Sequence, residues 1–204
     1  QARPASGMVS RAAPLRSIWA APELPQGGRR VAEPARAELP RVLDVLPLAL
    51  SDSLGEALQG PDLIQVRGMA RDSLLHVELV VAGSVNPNDF AGVFSIDADQ
   101  NPATGVIPSY AMPGQDARVE YEVSLFNLPS GFVDLYAVTF GYLGSFPVQI
   151  SANSVRFALP LALLGPDEAN VDFSGVIGSQ QGPGDWYPEV GHGTLKQFKW
   201  LTVG

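Results

Sequence analysis

The residues with the clearest chemical potential lie close together in one segment, residues 97–105. Asp97, Asp99 and Asn101 place an oxygen-bearing side chain at every second position, and Thr104 follows with a hydroxyl. Calcium is a hard cation that takes roughly six to eight oxygen ligands, among them carboxylates and amide carbonyls. A D-x-D-x-N spacing in a tight loop brings three such oxygens round one point. The segment therefore predicts a calcium (Ca2+) site.

Ligands beyond Asp97, Asp99 and Asn101 are needed to complete that site. The first residues resemble an EF-hand loop, but Pro102 stands where the sixth position requires Gly, and Pro108 where the twelfth requires Glu. We therefore exclude an EF-hand and expect Thr104, Asp116 or Glu120 to contribute further oxygens. One alternative stays open, an Asx-rich turn whose carboxylates only accept hydrogen bonds from backbone amides. A nucleotide-sugar site is disfavoured because no α/β pattern is present.

Support for catalysis is weak. The two histidines, His76 and His192, lie in a predicted strand and a predicted turn, and the sequence contains no G-x-S-x-G, H-E-x-x-H or phosphate-loop motif. Glu120 and Glu122 share one face of a predicted strand with no evident cleft between them. We predict that the protein is not an enzyme.

Short strands must position the calcium segment. The 21 Gly and 18 Pro favour many strands joined by turns, and apolar and polar residues alternate in residues 74–81 and 119–125. An apolar run at 93–96 leads directly into Asp97. Further strands are predicted at 62–69, 132–140, 146–150, 155–159, 171–179 and 195–203, and one helical turn at 160–165. Roughly nine short strands predict an all-β fold, a two-sheet antiparallel β-sandwich.

The first 48 residues differ from the rest in composition. They contain seven prolines and seven arginines against four acidic residues, a net charge of +3, whereas the remainder carries −11. We interpret residues 1–48 as a Pro/Arg-rich extended N-terminal arm and 49–204 as the β-sandwich body. The acidic body disfavours nucleic acid, and the arm is expected to dock on an acidic surface, preferably of another copy. A flexible linker is the alternative; the expected anchors are Ile18, Trp19 and Leu43.

Composition also bears on the compartment. The chain has no cysteine, and no apolar run approaches the roughly 18 residues of a membrane-spanning helix. A start at Gln1 is what we expect of a processed mature form or a trimmed chain.

Five segments, in order along the chain, resemble secreted bacterial and archaeal β-sandwich modules related to DOMON-like domains and family 9 carbohydrate-binding modules. Residues 96–105 resemble their D-x-D-x-N-P-x-T-G signature; the other four segments are 52–57, 118–123, 159–165 and 185–191. The resemblance covers residues 50–204 and implies a secreted, extracellular or cell-surface β-sandwich that binds calcium. Glu stands at positions 56, 120 and 189, where these modules have Asp.

Three functional hypotheses follow. In the first, a calcium-stabilised subunit is joined to other copies through its arm in an extracellular sheath or filament. In the second, the body is a carbohydrate-binding or adhesion module for a polysaccharide, with Trp186 and Tyr187 as the stacking residues. In the third, the chain is a fragment of a larger secreted protein. The charge asymmetry favours the first.

Overall fold

The computed structural model describes residues 45–165 and 170–197. They form eleven β-strands: β1 (Leu48–Ser51), β2 (Asp62–Arg71), β3 (Leu74–Ala82), β4 (Ala91–Asp97), β5 (Tyr121–Ser124), β6 (Phe132–Ala137), β7 (Gly141–Ile150), β8 (Ser154–Pro160), β9 (Asn170–Ser179), β10 (Gly182–Tyr187) and β11 (Gly193–Lys196). Short 3-10 turns lie at Leu128–Ser130 and Leu161–Leu163, and these described ranges contain no α-helix. All pairings between named strands are antiparallel. The all-β prediction is confirmed.

The strands form one continuous curled sheet in the order β1-β2-β3-β8-β7-β6-β5-β4-β9-β10, with β11 also paired to β9. This differs from the two separate sheets that the sequence predicted. The reason lies in β7, whose first part pairs with β6 up to Pro147 and whose last three residues, Val148–Ile150, pair with β8. One ten-residue strand therefore belongs to both halves of the sheet.

Most predicted strands are present with small shifts of their ends, but β7 begins at Gly141, five residues before the start of the strand predicted at 146–150. The prediction for 132–140 ran too far, because residues 138–140 form the turn between β6 and β7. Two strands were missed: β1, and β10, whose Trp186 and Tyr187 were expected in a turn. The helical turn predicted at 160–165 corresponds to the 3-10 turn at Leu161–Leu163.

The inner faces of the two halves share one hydrophobic core. Phe94 on β4 stacks on Phe173 of β9 at 5.2 Å between ring centroids and meets Phe157 of β8 edge-on at 6.0 Å. Tyr187 of β10 lies 6.3 Å from Phe94 and is fully buried. The contact between Phe94 and Phe157 joins β4 to β8, which are far apart in the sheet order, so the core holds the sheet in its curled shape.

Neighbouring segments cover the ends of the sheet. β1 pairs with the outer edge of β2, where Pro47 O also accepts the Gly68 amide at 3.0 Å. On β10, Gly184 O accepts the Leu58 amide at 2.7 Å. A side chain at Gly184 would overlap the Gln59 carbonyl, so glycine permits this close approach. The loop before β2 thus lies against the last strand of the sheet and brings its acidic residues to β10.

Several predictions fall on residues outside the described ranges. These are the anchors Ile18, Trp19 and Leu43, nearly all of the arm, and the end of the strand predicted at 195–203. Within the described residues, β1 begins at Leu48, one residue before the expected start of the body. No helix in this part of the chain is long and apolar enough to cross a membrane.

Candidate functional site

The predicted calcium segment lies at the end of β4, beside the residues that lead into β5. Asp97 is the last residue of β4, and the Glu120 amide donates to Ile96 O at 3.0 Å. Val106 and Val119 exchange two backbone hydrogen bonds, of 3.0 and 2.8 Å, which close the loop between them. The backbone therefore brings Glu120, 23 positions after Asp97 in sequence, next to the start of the loop.

Three carboxylates converge in this loop. One oxygen each from Asp97, Asp99 and Glu120 lies within 4.8 Å of the others, a spacing at which they could hold a metal ion. Thr104 Oγ1 lies 2.9 Å from both oxygens of Asp99, so this predicted ligand contacts the cluster through its hydroxyl. Asn101 Oδ1 accepts the Ala103 amide at 3.0 Å and is exposed.

The same carboxylates also accept backbone amides, as the Asx-turn alternative expected. Asp97 Oδ1 accepts Gln100 N at 2.7 Å, and Asp97 Oδ2 accepts Arg118 N at 3.0 Å. Asp99 Oδ1 accepts the Asn101 amide at 2.9 Å. A carboxylate oxygen has two lone pairs, so one hydrogen bond leaves room for a cation. These hydrogen bonds hold the loop in shape, and the carboxylates of Asp97 and Asp99 retain lone pairs for a cation.

The two carboxylate oxygens of Glu120 differ in their hydrogen bonding. Its Oε2 accepts the Ala98 amide at 2.9 Å, whereas its Oε1 is buried and has no hydrogen-bond partner within residues 45–165 and 170–197. Burial raises the pKa of Glu120, and the nearby Asp99 and Asp97 raise it further; burial also raises the pKa of Asp97. A buried carboxylate oxygen without a partner costs free energy, which a bound cation would recover.

Asp116 lies outside this group of three carboxylates. Its Oδ1 is 2.7 Å from His192 Nδ1, and His192 Nε2 is 3.3 Å from Asp172 Oδ2. The hydrogen bond that His192 donates to Asp116 raises the pKa of His192, with a further contribution from the charge of Asp172. His192 therefore links the turn before β11 to β9 and to the long loop between β4 and β5.

A second carboxylate cluster was not predicted. Oxygens of Asp52, Glu56 and Glu189 lie within 4.8 Å of one another, beside buried Asp185, whose Oδ2 accepts the Leu63 amide at 2.6 Å. Burial, followed by the charge of Glu189, raises the pKa of Asp52 to about 7. Burial raises the pKa of Asp185 to about 6. The signal was in the sequence, since 52–57 and 185–191 are both acidic, but nothing in their spacing showed that the curled sheet brings them together.

The two aromatic residues proposed for sugar binding are placed differently from what a stacking platform needs. Tyr187 is fully buried, and its hydroxyl donates to Val93 O at 3.1 Å. Trp186 is partly buried, and its Nε1 donates to Tyr110 O at 2.9 Å. Both therefore pack within the fold, and the structure directs attention to another surface.

That surface is a cavity of about 490 Å³ on the outer face of the sheet, beneath the loop that follows the calcium segment. Its floor includes Glu122 and Tyr136, and one wall is formed by Ile107 and Tyr110. Tyr110 Oη donates to Glu122 Oε1 at 2.8 Å and lies 2.6 Å from Ser95 Oγ. Burial raises the pKa of both Tyr110 and Glu122. Sequence reasoning missed this cavity, because its two sides come from segments that a linear pattern does not connect.

No protein-family model matches the chain, and no curated protein is significantly similar to it. The geometry of the described residues is therefore the basis of the functional argument.

Proposed function

We propose that the chain is a non-catalytic calcium-binding β-sandwich that acts as the structural subunit of an extracellular or cell-surface assembly, a sheath or filament, joined through its N-terminal arm. In this proposal the two halves of the curled sheet act as the two layers of the sandwich. Calcium bound by Asp97, Asp99 and Glu120 fixes the loop that covers its outer face.

The observation that carries the calcium proposal is the buried Glu120 Oε1, which lies beside the oxygens of Asp97 and Asp99 and has no hydrogen-bond partner among the described residues. Oxygen donors of this kind suit a hard cation. In a chain without cysteine, a cation held by carboxylates supplies a cross-link between two segments that disulfides do not provide. The acidic body and the basic composition of the arm support association between copies.

The first prediction concerns calcium removal. With a dissociation constant of about 10⁻⁴ M and millimolar calcium, binding stabilises the folded state by about 1.4 kcal/mol. Chelation with EDTA should then lower the Tm by about 3–6 °C, measured by differential scanning calorimetry. Asp99→Ala should have the same Tm with and without EDTA.

The control is Asp89→Ala, which changes an exposed carboxylate of another loop and should keep the full response to EDTA. An unchanged Tm of the wild type after chelation, with no heat of calcium binding by calorimetric titration, would contradict the calcium proposal.

A carbohydrate-binding or adhesion module is the second candidate, and exposed aromatic residues favour it. Tyr142 is 46% exposed, and its ring lies 5.6 Å from that of Tyr136 at the cavity. Aromatic faces of this kind can stack on sugar rings. We predict that, if the module binds polysaccharide, Tyr142→Ala loses pull-down by an insoluble polysaccharide with an unchanged Tm, whereas Trp186→Phe retains it. If the wild type binds none of a broad panel of polysaccharides, the carbohydrate-binding proposal is contradicted and only the assembly proposal remains.

A further inference from the structure

The cavity beneath the loop at residues 106–110 opens onto an unusually apolar part of the surface. Ile107 is 50% exposed and Val138 38% exposed, and both line it. Phe140, which is 88% exposed, and Tyr142 flank Gly141, another lining residue. A contiguous patch of exposed apolar side chains often marks a surface that binds a partner, whereas single exposed apolar residues are common on any protein surface. We call the cavity, together with the exposed side chains of Ile107, Val138, Phe140 and Tyr142, the groove.

Most polar side chains that line the groove are neutral hydroxyls, those of Ser109, Tyr110, Ser124 and Tyr136. Glu122 is the only carboxylate among the described lining residues, and no Lys or Arg lines it. Glu122 Oε1 accepts Tyr110 Oη, and the carboxylate retains capacity for a further donor. An occupant suited to the groove therefore offers an apolar or aromatic body, an N–H donor and positive charge.

One stretch of this chain has that composition. Residues 15–19 read Leu-Arg-Ser-Ile-Trp, with two aliphatic side chains, an indole N–H and one guanidinium. They lie in the part of the chain with net charge +3, and the rest carries −11. From Trp19 to the first described residue, Val45, an extended chain can span up to about 85 Å, which reaches a neighbouring molecule.

We propose that the groove receives residues 15–19 of a second copy of this chain, with the Trp19 indole in the cavity and its N–H directed to Glu122. This inference rests on the proposed function and names the surface through which the arm acts. A buried aromatic anchor gives most of the affinity of such a contact. Because the arm of one copy enters the groove of the next, the contact is head-to-tail and can extend into a fibre.

Two variants of the full chain test the Trp19 anchor and the groove independently. Trp19→Ala removes the anchor and leaves the groove intact. Val138→Arg places a cation at the rim of the groove, where it excludes Arg16, and leaves the arm intact. Each should weaken self-association by about thirtyfold or more, measured by size-exclusion chromatography with light scattering in calcium. Ile150→Arg is the matched control, since Ile150 is 37% exposed at the opposite end of β7, and it should associate as the wild type does.

Mixing the two variants gives the decisive result. Trp19→Ala supplies a free groove and Val138→Arg a free arm, so the mixture should form a heterodimer and nothing larger. A mixture that stays monomeric, or a wild type that is monomeric at high concentration, overturns the docking on a second copy. If Val138→Arg assembles normally, or loses only polysaccharide binding, then the groove is not the surface that receives the arm. In that case, loss of assembly on removing residues 1–44 would still support the proposed function, whereas its retention would overturn that function as well.

Discussion

Gly105 illustrates how a single backbone position shapes the candidate site. It has a φ of +61°, and an added Cβ would lie 2.5 Å from both Arg118 O and Glu120 Oε1. A glycine tolerates this positive φ because it has no Cβ. The sequence did not predict the close approach to Glu120, because that contact depends on the pairing of Val106 with Val119.

We predict that Gly105→Ala is costly for three reasons: backbone strain, a clash with the Arg118 carbonyl, and displacement of Glu120. The left-handed conformation alone costs about 1–2 kcal/mol for a residue with a Cβ. Gly83→Ala is the matched control, since Gly83 has a φ of +82° and nothing within 4 Å of an added Cβ. Denaturant unfolding should show a larger loss of stability for Gly105→Ala, and calorimetric titration should show weaker calcium binding for it alone. Equal losses in the two variants would mean that Glu120 is not held by this contact.

At the scale of elements, the strands with clear alternation were predictable and those defined by their partners were not. β3 and β5 have alternating apolar and polar residues, so their faces could be assigned from sequence. β10 contains two glycines and a proline, and its strand conformation follows from pairing with β9 and from contact with the loop before β2. β1 has only four residues and depends likewise on its neighbour β2.

A truncation series should show where the body begins. At a protein concentration too low for self-association, removing residues 1–44 should leave the free energy of unfolding unchanged. Removing residues 1–51 deletes β1, the Pro47–Gly68 hydrogen bond and Leu46, which is 6% exposed. Loss of one buried leucine side chain costs about 2–5 kcal/mol, so this second truncation should lower the urea midpoint clearly. Equal midpoints for the two truncations would show that β1 contributes nothing to the fold.

At the scale of the whole molecule, the acidic cluster around Asp52 should make stability depend on pH. A carboxyl group whose folded pKa is raised binds its proton more tightly in the folded state. Stability contributed by this difference is greatest below the unfolded pKa of 3.8 and is lost as pH rises through the folded pKa, about 7 for Asp52. The sequence showed the net charge but not that the folded chain concentrates it at this place.

We therefore predict that, in EDTA, the wild type becomes less stable between pH 5 and pH 8, and that Asp52→Asn reduces this loss. Asn retains an oxygen for the Ser53 amide, 3.1 Å from Asp52 Oδ1. The exposed Asp89→Asn serves as control and should follow the wild type. Thermal unfolding across this pH range provides the measurement, and parallel profiles for wild type and Asp52→Asn would contradict the assignment.

The position of β7 has a consequence for how the molecule comes apart. Its residues supply hydrogen bonds to β6 in one half of the sheet and to β8 in the other. Neither half can lose its order without breaking a strand that the other needs and exposing the aromatic contacts of Phe94. We therefore expect the two halves of the described sheet to unfold together, because β7 and the shared core connect them.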